Sequence, residues 1–156
     1  MTDSFDPPES DVELAENGAA RLPSPLDSLL GYRLRRASMA MMAGLHEVLR
    51  PYNLSAGEAS LLILVGANPG CRQSDVGRAL AIKRANLTPL VGRLKTRGLI
   101  ADTPIDGRSL SLALTEAGRT LQTDVLADVI ASDRAFRKRL SLDEDALAAA
   151  LAALFA

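Results

Sequence analysis

Hydrophobic residues recur every three or four positions along most of the chain, the spacing that places them on one face of a helix. From Leu26 to Arg50 this stripe contains Leu30, Leu34, Ala37, Met41, Leu45 and Val48. The pattern predicts a long amphipathic helix that ends before Pro51, because proline cannot continue the hydrogen-bond ladder. Its opposite side also carries the apolar Met39. We therefore expect a second surface of this helix to pack against another helix or another subunit.

A second helix is predicted from Ala56 to just before Asn68. Ser55 and Glu58 have the spacing of a capping box, in which each side chain satisfies a backbone amide of the other residue. The helix that follows is apolar on most sides, so it should be central to the fold.

The stretch from Arg72 to Ile100 predicts two short helices joined by a tight turn. Ser74 is expected to cap the first, which runs from Asp75 to about Ala81. The second should run from Arg84 to Arg97, and its inward arc contains Leu87, Leu90, Val91 and Leu94. Its opposite arc is small, polar and basic, and consists of Ala85, Asn86, Thr88, Pro89, Gly92 and Arg93.

A β-hairpin and two further helices should follow Gly98, which can end a helix in the left-handed conformation. The strands are predicted over 99–103 and 109–114, with a turn centred on Asp106 and Gly107. Thr115 should cap a long helix that finishes in three cations, Arg137, Lys138 and Arg139. A second capping box, Ser141 to Glu144, should begin the last helix.

Composition favours one mainly helical domain with an acidic tail. The chain has 156 residues, of which 47% are hydrophobic and only 3% aromatic, so its core must be built from aliphatic side chains. Residues 1–25 combine four prolines with many acids and are expected to be disordered. No apolar run approaches the length of a membrane span, so we expect a soluble cytoplasmic protein.

Charge is distributed unevenly along the chain. The net charge is -1, but residues 1–28 carry -6, whereas residues 72–108 have eight basic residues against three acids. Positive charge is thus concentrated in the stretch with the two short helices, as attraction to phosphates would require. A solvated helical face would explain the same charges about equally well.

The residues needed for catalysis or metal binding are scarce. There is one histidine, His46, and one cysteine, Cys71. The chain also lacks a glycine-rich phosphate loop and a metal-binding spacing such as HExxH. We therefore expect no enzyme, no catalytic residue, no metal site and no cofactor.

The order of elements resembles that of the MarR family of winged helix-turn-helix regulators. Four stretches carry the resemblance, which covers about residues 27–156: SAGEASLLIL, RQSDVGRALAIKRANLTPLVGRLKTRGLI, DGR and SLALTEAG. It implies a mainly α fold with a small β-hairpin wing, in which residues 55–114 form the winged helix-turn-helix. Residues 26–54 and 115–156 would supply the dimerisation helices of a single domain spanning 26–156.

The family resemblance also implies a function. Such proteins are usually homodimers that repress transcription from a pseudo-palindromic operator on double-stranded DNA. They often dissociate from the operator when a small aromatic or phenolic acid effector binds to them.

Seven residues are candidate DNA contacts. The helix from Arg84 has a diameter that fits the major groove, and its first half would present side chains to base edges. The resemblance places Arg108 at the wing tip, where it would enter the minor groove, with Asp106 orienting it. The candidates are Lys83, Arg84, Asn86, Thr88, Arg93, Asp106 and Arg108. Two features depart from the family pattern: Pro89 replaces a frequent basic residue, and the wing is about two residues shorter.

A ligand site near the first helix is a further hypothesis. Cations would hold a carboxylate, and Met and Tyr side chains would contact an aromatic ring. The candidates are Arg33, Arg36, Met39, Met42, His46 and Tyr52. Core or dimer packing explains the His and Met residues more simply. Cys71 is similarly better explained as a half-buried thiol than as a redox sensor.

One alternative function remains at this point. The protein could be a dimeric interaction module whose winged helix has lost DNA binding, which its acidic isoelectric point and short wing would suit. Binding to mixed-sequence DNA that weakens with salt would separate the two hypotheses.

Overall fold

A computed structural model describes residues 22, 24–106, 109–139 and 144–153, with the backbone alone for 104–106, 109, 110 and 144. The elements of the described chain follow in order: α1 (Leu30–Leu49), α2 (Ala56–Ala67), β1 (Cys71–Arg72), α3 (Gln73–Ala79), α4 (Arg84–Thr96), β2 (Ile100–Asp106), β3 (Ser109–Leu114), α5 (Glu116–Arg137) and α6 (Glu144–Ala152). None of the described helices is long and apolar enough to cross a membrane.

The described residues divide into two compact units, and the boundary falls within α1, between Ser38 and Met39. The predicted start of α1 at Leu26 is wrong. A short 3-10 turn occupies Pro25–Ser28, and Leu29 then adopts an extended conformation that separates this turn from the helix. The predicted end is confirmed, because α1 stops at Leu49, before Pro51.

α2 lies at the centre of the second unit, as its apolar character predicts. The capping box is present: Ser55 Oγ accepts a hydrogen bond from the Glu58 amide, and the Glu58 carboxylate accepts one from the Ser55 amide. Three of its side chains, Leu61, Leu62 and Val65, have no exposed surface. They join a core that is almost entirely aliphatic and also contains Leu49, Leu54, Ala59, Val76, Leu87, Val91, Leu94, Leu99, Ile100, Leu112, Leu114 and Val125.

The three-stranded antiparallel sheet has the order β1-β3-β2, so β3 is its central strand. The hairpin was predicted, but β2 extends beyond the expected end at Thr103 to Asp106. Pro104 is tolerated because β2 is an edge strand, where one row of backbone amides needs no partner. The strand β1 was not predicted, since two residues carry no periodicity, and it pairs Cys71 with Leu112.

The pairing of β1 also changes the start of α3. The predicted cap at Ser74 is wrong: α3 begins at Gln73, and Arg72 is its N-cap without a side-chain capping bond. Because Arg72 is paired with Ser111 in the sheet, the extended backbone continues to the residue that precedes the helix.

The start of α5 is fixed by a side-chain cap and by close backbone packing. Thr115 Oγ1 accepts a hydrogen bond from the Gly118 amide at 3.0 Å and donates one to the Gly98 carbonyl at 2.7 Å. A Cβ atom on Gly118 would lie only 2.0 Å from the Leu99 carbonyl oxygen, so this corner accepts no side chain. Gly98 has φ +67°, as expected for the end of α4. The predicted capping box at Ser141 lies outside the described residues.

Candidate nucleic-acid interface

The turn between α3 and α4 is closed by a backbone hydrogen bond and a residue with positive φ. The amide of Ile82 donates to the Gly77 carbonyl at 2.9 Å, and Ala81 adopts the left-handed conformation with φ 51°. Gly77 is buried, and a Cβ there would lie 3.1 Å from the Leu87 side chain. Glycine at this position therefore lets α3 approach α4 without displacing the Leu87 side chain.

The two faces of α4 separate as the helical period predicts. Leu87, Val91 and Leu94 are buried, and Leu90 is half-buried. The opposite arc, from Ala85 to Arg93, is exposed. The helix continues through Pro89 without interruption. This exposed face carries no large aliphatic or aromatic side chain, so it is free for contacts outside the core.

Five of the seven candidate DNA contacts lie on or next to α4, and all five are exposed: Lys83, Arg84, Asn86, Thr88 and Arg93. Lys83 is the N-cap residue of the helix. Thr88 is held by α3, because its hydroxyl accepts a hydrogen bond from Gln73 Nε2 at 3.3 Å. The same hydroxyl donates to the Arg84 carbonyl at 3.0 Å.

Arg93 is the only one of these five for which the structure gives an ion pair. Its Nε atom lies 2.7 Å from Glu58 Oε1, and the Glu58 side chain is only 8% exposed. Burial raises the pKa of Glu58, but hydrogen bonds from Arg93 and Ser55 outweigh burial, so the pKa lies below its ordinary value. The carboxylate is therefore ionised at neutral pH and holds the middle of α4 against the start of α2.

A second arginine, Arg97, attaches the end of α4 to the segment between α1 and α2. Its guanidinium donates to the Asn53 carbonyl at 2.8 Å and to the Tyr52 carbonyl at 2.9 Å. The Tyr52 hydroxyl in turn donates to Asp128 of α5 at 2.5 Å. This hydrogen bond, burial and the nearby carboxylates raise the pKa of Tyr52. The end of α4 is thus connected through Tyr52 to α5.

The β-hairpin is attached to the other side of α4. Lys95 Nζ lies 2.6 Å from Asp102 Oδ1, which joins the helix to the first half of β2. Ser111 Oγ donates to the Thr103 carbonyl across the hairpin at 2.9 Å. Asp106 ends β2, but its side chain and the whole of Arg108 lie outside the described residues. Their assignment as wing contacts stays a prediction.

Comparison with known proteins identifies this arrangement. A model of the MarR family matches residues 52–109. A protein named as a transcriptional regulatory protein for the hcr operon of Thauera aromatica is 30% identical over 115 residues, which are 72% of this chain and 69% of that protein. The repressor CouR bound to a 23-mer DNA duplex is 32% identical, with a TM-score of 0.80 over 88% of this chain and 100% of that chain. The chain belongs to the MarR family of transcriptional regulators.

A second structure of CouR, bound to p-coumaroyl-CoA, is 30% identical with a TM-score of 0.76 over 86% of this chain and 97% of that chain. The predicted fold class, mainly α with a small β-hairpin, is confirmed. MarR family members are transcriptional regulators, not enzymes, so the prediction that this chain is not an enzyme is also confirmed. In MarR terms, α3 and α4 correspond to the helix-turn-helix, α4 takes the position of the recognition helix and the β2-β3 hairpin that of the wing.

The predicted ligand-binding residues of this MarR protein lie in two different units. In the first unit, Arg33 Nε donates to the Asp27 carbonyl, and Arg36 lies 3.6 Å from the Asp27 carboxylate. In the second unit, Met39 and His46 are exposed, whereas Met42 and Tyr52 are half-buried. Their assignment to a ligand site stays a prediction.

Among the depressions of the second unit, two are lined entirely by described residues that bear on function. One, of about 270 Å³, is lined by α1 and α5, including Met41, Leu45, Val129 and Phe136. The other is an open groove of about 880 Å³ beside the recognition helix, which we call the α2–α4 groove. Two arginines of this groove, Arg50 and Arg97, were not among the sequence candidates. In the sequence, only their positive charge could have indicated these two arginines.

Cys71 is half-buried in β1, and burial raises the pKa of its thiol above the ordinary value. A raised pKa disfavours the reactive thiolate. The structure therefore favours the simpler interpretation of Cys71 as an inert thiol. Among the described residues, no cluster of histidine, cysteine and acidic side chains could hold a metal ion.

Proposed function

We propose that this MarR protein is a sequence-specific DNA-binding regulator that acts in the cytoplasm as a homodimeric repressor on a pseudo-palindromic operator. The observation that carries the proposal is the exposed face of α4, which is polar, basic and has no role in the core. The DNA-bound structure of the similar CouR supports the same use of the fold.

In this proposal α4 enters the major groove. Asn86 is suited to a bidentate contact with adenine, and Arg84 to guanine or phosphate. Lys83, Thr88 and Arg93 would make the remaining contacts of the helix, and Asp106 and Arg108 those of the wing. Phosphate contacts would set the position of the protein, whereas Asn86 would contribute to sequence preference.

The first test is fluorescence anisotropy with two labelled duplexes. One carries an inverted repeat from the DNA that flanks the coding region, and the other has mixed sequence. We expect N86A to weaken binding to the repeat by about 1–3 kcal/mol and to lose preference at its base position. R134Q, which removes an exposed charge from α5, is the control. A wild-type protein that binds neither duplex at low salt would instead support the alternative, an interaction module without DNA binding, which the isoelectric point of about 5.8 favours.

Exposed apolar side chains support the homodimer. Met39 and Met41 on α1, Ile130 on α5 and Leu151 on α6 are 37–60% exposed in the single chain. Large exposed apolar residues on the helices that dimerise in this family are suited to burial against a second copy. Analytical ultracentrifugation should find a dimer for the wild type, and M41E should shift the equilibrium towards monomer. A wild-type monomer at all accessible concentrations would refute the dimer.

The proposed effector is a small aromatic or phenolic acid. The structure of CouR with p-coumaroyl-CoA supports the aromatic part of this proposal, because the acyl group of that thioester carries a phenol ring. The candidate contacts are those named above: Arg33, Arg36, Met39, Met42, His46 and Tyr52. A thermal-shift screen with benzoate, salicylate and p-coumarate tests the class directly. R36Q should lose any shift that the wild type shows, and the absence of a shift with every acid would count against the effector.

A further inference from the structure

The α2–α4 groove runs along one flank of the recognition helix. Its α4 side includes Gly92, Arg93, Thr96 and Arg97, which adjoin the exposed face of the helix. Its other side is the segment before α2 and the first turn of α2, with Arg50 as an outer residue. The groove is therefore continuous with the surface that the proposed function assigns to DNA.

The opposite flank of α4 is already occupied. There Thr88 is bonded to Gln73 of α3, and Lys95 is paired with Asp102 of the wing. A helix that lies in the major groove has a phosphate backbone on each side. One backbone would face α3 and the wing, so the other would face the α2–α4 groove.

The groove carries an excess of positive charge at its exposed surface. It contains three arginines and one acid, Glu58, whose carboxylate is buried and bonded to Ser55 and Arg93. The guanidinium of Arg97 donates hydrogen bonds to two backbone carbonyls. Because carbonyls are neutral, these bonds hold the side chain in place without cancelling its charge. The groove thus presents fixed positive charge beside the exposed face of α4.

Arg50 is held more loosely than Arg97. It lies 3.0 Å from Glu47, and the two side chains are 78% and 70% exposed. An ion pair this exposed contributes little to stability, so a phosphate can replace the carboxylate at small cost. Arg50 is therefore available to a partner that approaches along the groove.

From these observations we infer that the α2–α4 groove binds the phosphate backbone of one DNA strand, with Arg50 and Arg97 as phosphate contacts. The inference rests on the proposed function, because it extends the DNA surface of α4. A contact with phosphate adds affinity on every sequence and makes that affinity depend on salt. Both residues would therefore strengthen binding without affecting which bases are preferred.

The salt dependence of DNA binding tests the inference. Affinities of the wild type, R50Q and the control R134Q are measured on the inverted-repeat and mixed-sequence duplexes between roughly 50 and 200 mM salt. R50Q should reduce the slope of log K against log salt by about 0.9 for each chain bound. Over that range the wild type should then lose about threefold more affinity per bound chain than R50Q. The reduction should be equal on both duplexes, and R134Q should retain the wild-type slope.

Two further variants strengthen the test. E47Q removes the carboxylate that competes for Arg50, so it should tighten DNA binding more in the wild type than in the R50Q background. R97K keeps the charge but loses the two-carbonyl attachment, so it should retain more of the slope than R97Q. A circular-dichroism melt confirms that each variant is folded.

The outcomes separate the inference from the proposed function. If the wild type binds no DNA, the proposed function fails. If the wild type binds DNA with a clear salt slope and R50Q leaves that slope unchanged, the phosphate contact is overturned while DNA binding stands. A thermal shift with benzoate that is present in the wild type and lost in R50Q, together with an unchanged slope, would identify the groove as a small-anion site instead.

Discussion

Arg93 of the recognition helix donates a hydrogen bond to the buried carboxylate of Glu58, with 2.7 Å between Nε and Oε1. The same carboxylate closes the capping box at the start of α2. The Glu58 side chain therefore has two structural roles: it caps α2 and it fixes the middle of α4. Arg93 accordingly has a structural role in addition to its proposed contact with DNA.

Removing Arg93 should reduce stability as well as DNA binding. R93Q leaves the Glu58 carboxylate buried with only its Ser55 partners, and we expect it to lower the free energy of unfolding by about 1–2 kcal/mol. R84Q removes an exposed charge from the same helix and should change it by less than about 0.5 kcal/mol. Urea unfolding followed by circular dichroism measures both. Equal effects of the two substitutions would show that the Glu58 bond contributes nothing.

Glu58 should also make stability depend on pH in the acid range. Its pKa in the folded protein lies below the ordinary value of 4.5, so the folded state binds fewer protons than the unfolded state near that pH. The contribution is complete above the unfolded pKa and is lost as pH falls through the folded pKa. Urea unfolding at several pH values between about 3 and 6 should therefore show declining stability towards acid. The decline should be shallower in E58Q, and an identical decline in E58Q would assign it to other carboxylates.

Tyr52 should affect stability at alkaline pH. Its pKa is raised above 10.0 because its hydroxyl donates to Asp128, so the folded state favours the neutral phenol. The resulting stabilisation is present below the unfolded pKa and is lost as pH rises through the folded pKa. Y52F should remove this alkaline dependence and lower stability at neutral pH. The matched control is Y32F, since Tyr32 contacts Arg35 through its ring, which the substitution keeps.

Two glycine substitutions should have opposite effects. G118A places a Cβ atom 2.0 Å from the Leu99 carbonyl oxygen, so the corner between α5 and the wing must move. We expect a loss of about 3 kcal/mol in unfolding free energy. G92A places a Cβ in open space on α4, and alanine is the better helix former, so it should gain about 0.5–1 kcal/mol.

Thermal or urea unfolding of both glycine variants provides the comparison. Both substitutions add one methyl group within a helix, so a difference in sign isolates the packing at Gly118. A stable G118A variant would mean that the corner can open without cost.

Several features could be predicted from the sequence because their causes are local. The inward and outward faces of α4 follow from its helical period alone, which places Leu87, Val91 and Leu94 on one side. Ser55 with Glu58 and Thr115 with Gly118 lie three residues apart, so capping needs no information from elsewhere in the chain. The MarR resemblance was carried by these same local patterns.

Elements whose limits depend on pairing were predicted less well. The sequence gives no signal for β1, because two residues become a strand only when β3 lies beside them. For the same reason, α3 begins at Gln73 and not, as the sequence predicted, at Asp75. The first strand was predicted to end at Thr103, yet β2 continues through Pro104 to Asp106 because the free edge of β2 needs no amide at Pro104.

The sequence by itself determined the order of the helices, the side-chain caps of α2 and α5 and the exposed polar face of α4, because these follow from contacts within a few residues. Only the tertiary structure decided what holds that face in place. Arg93 meets Glu58 across 35 residues, Arg97 meets Tyr52 across 45, and Tyr52 meets Asp128 across 76. A long-range partner is selected by how the elements pack around the core, so the spacing of residues along the chain does not reveal it.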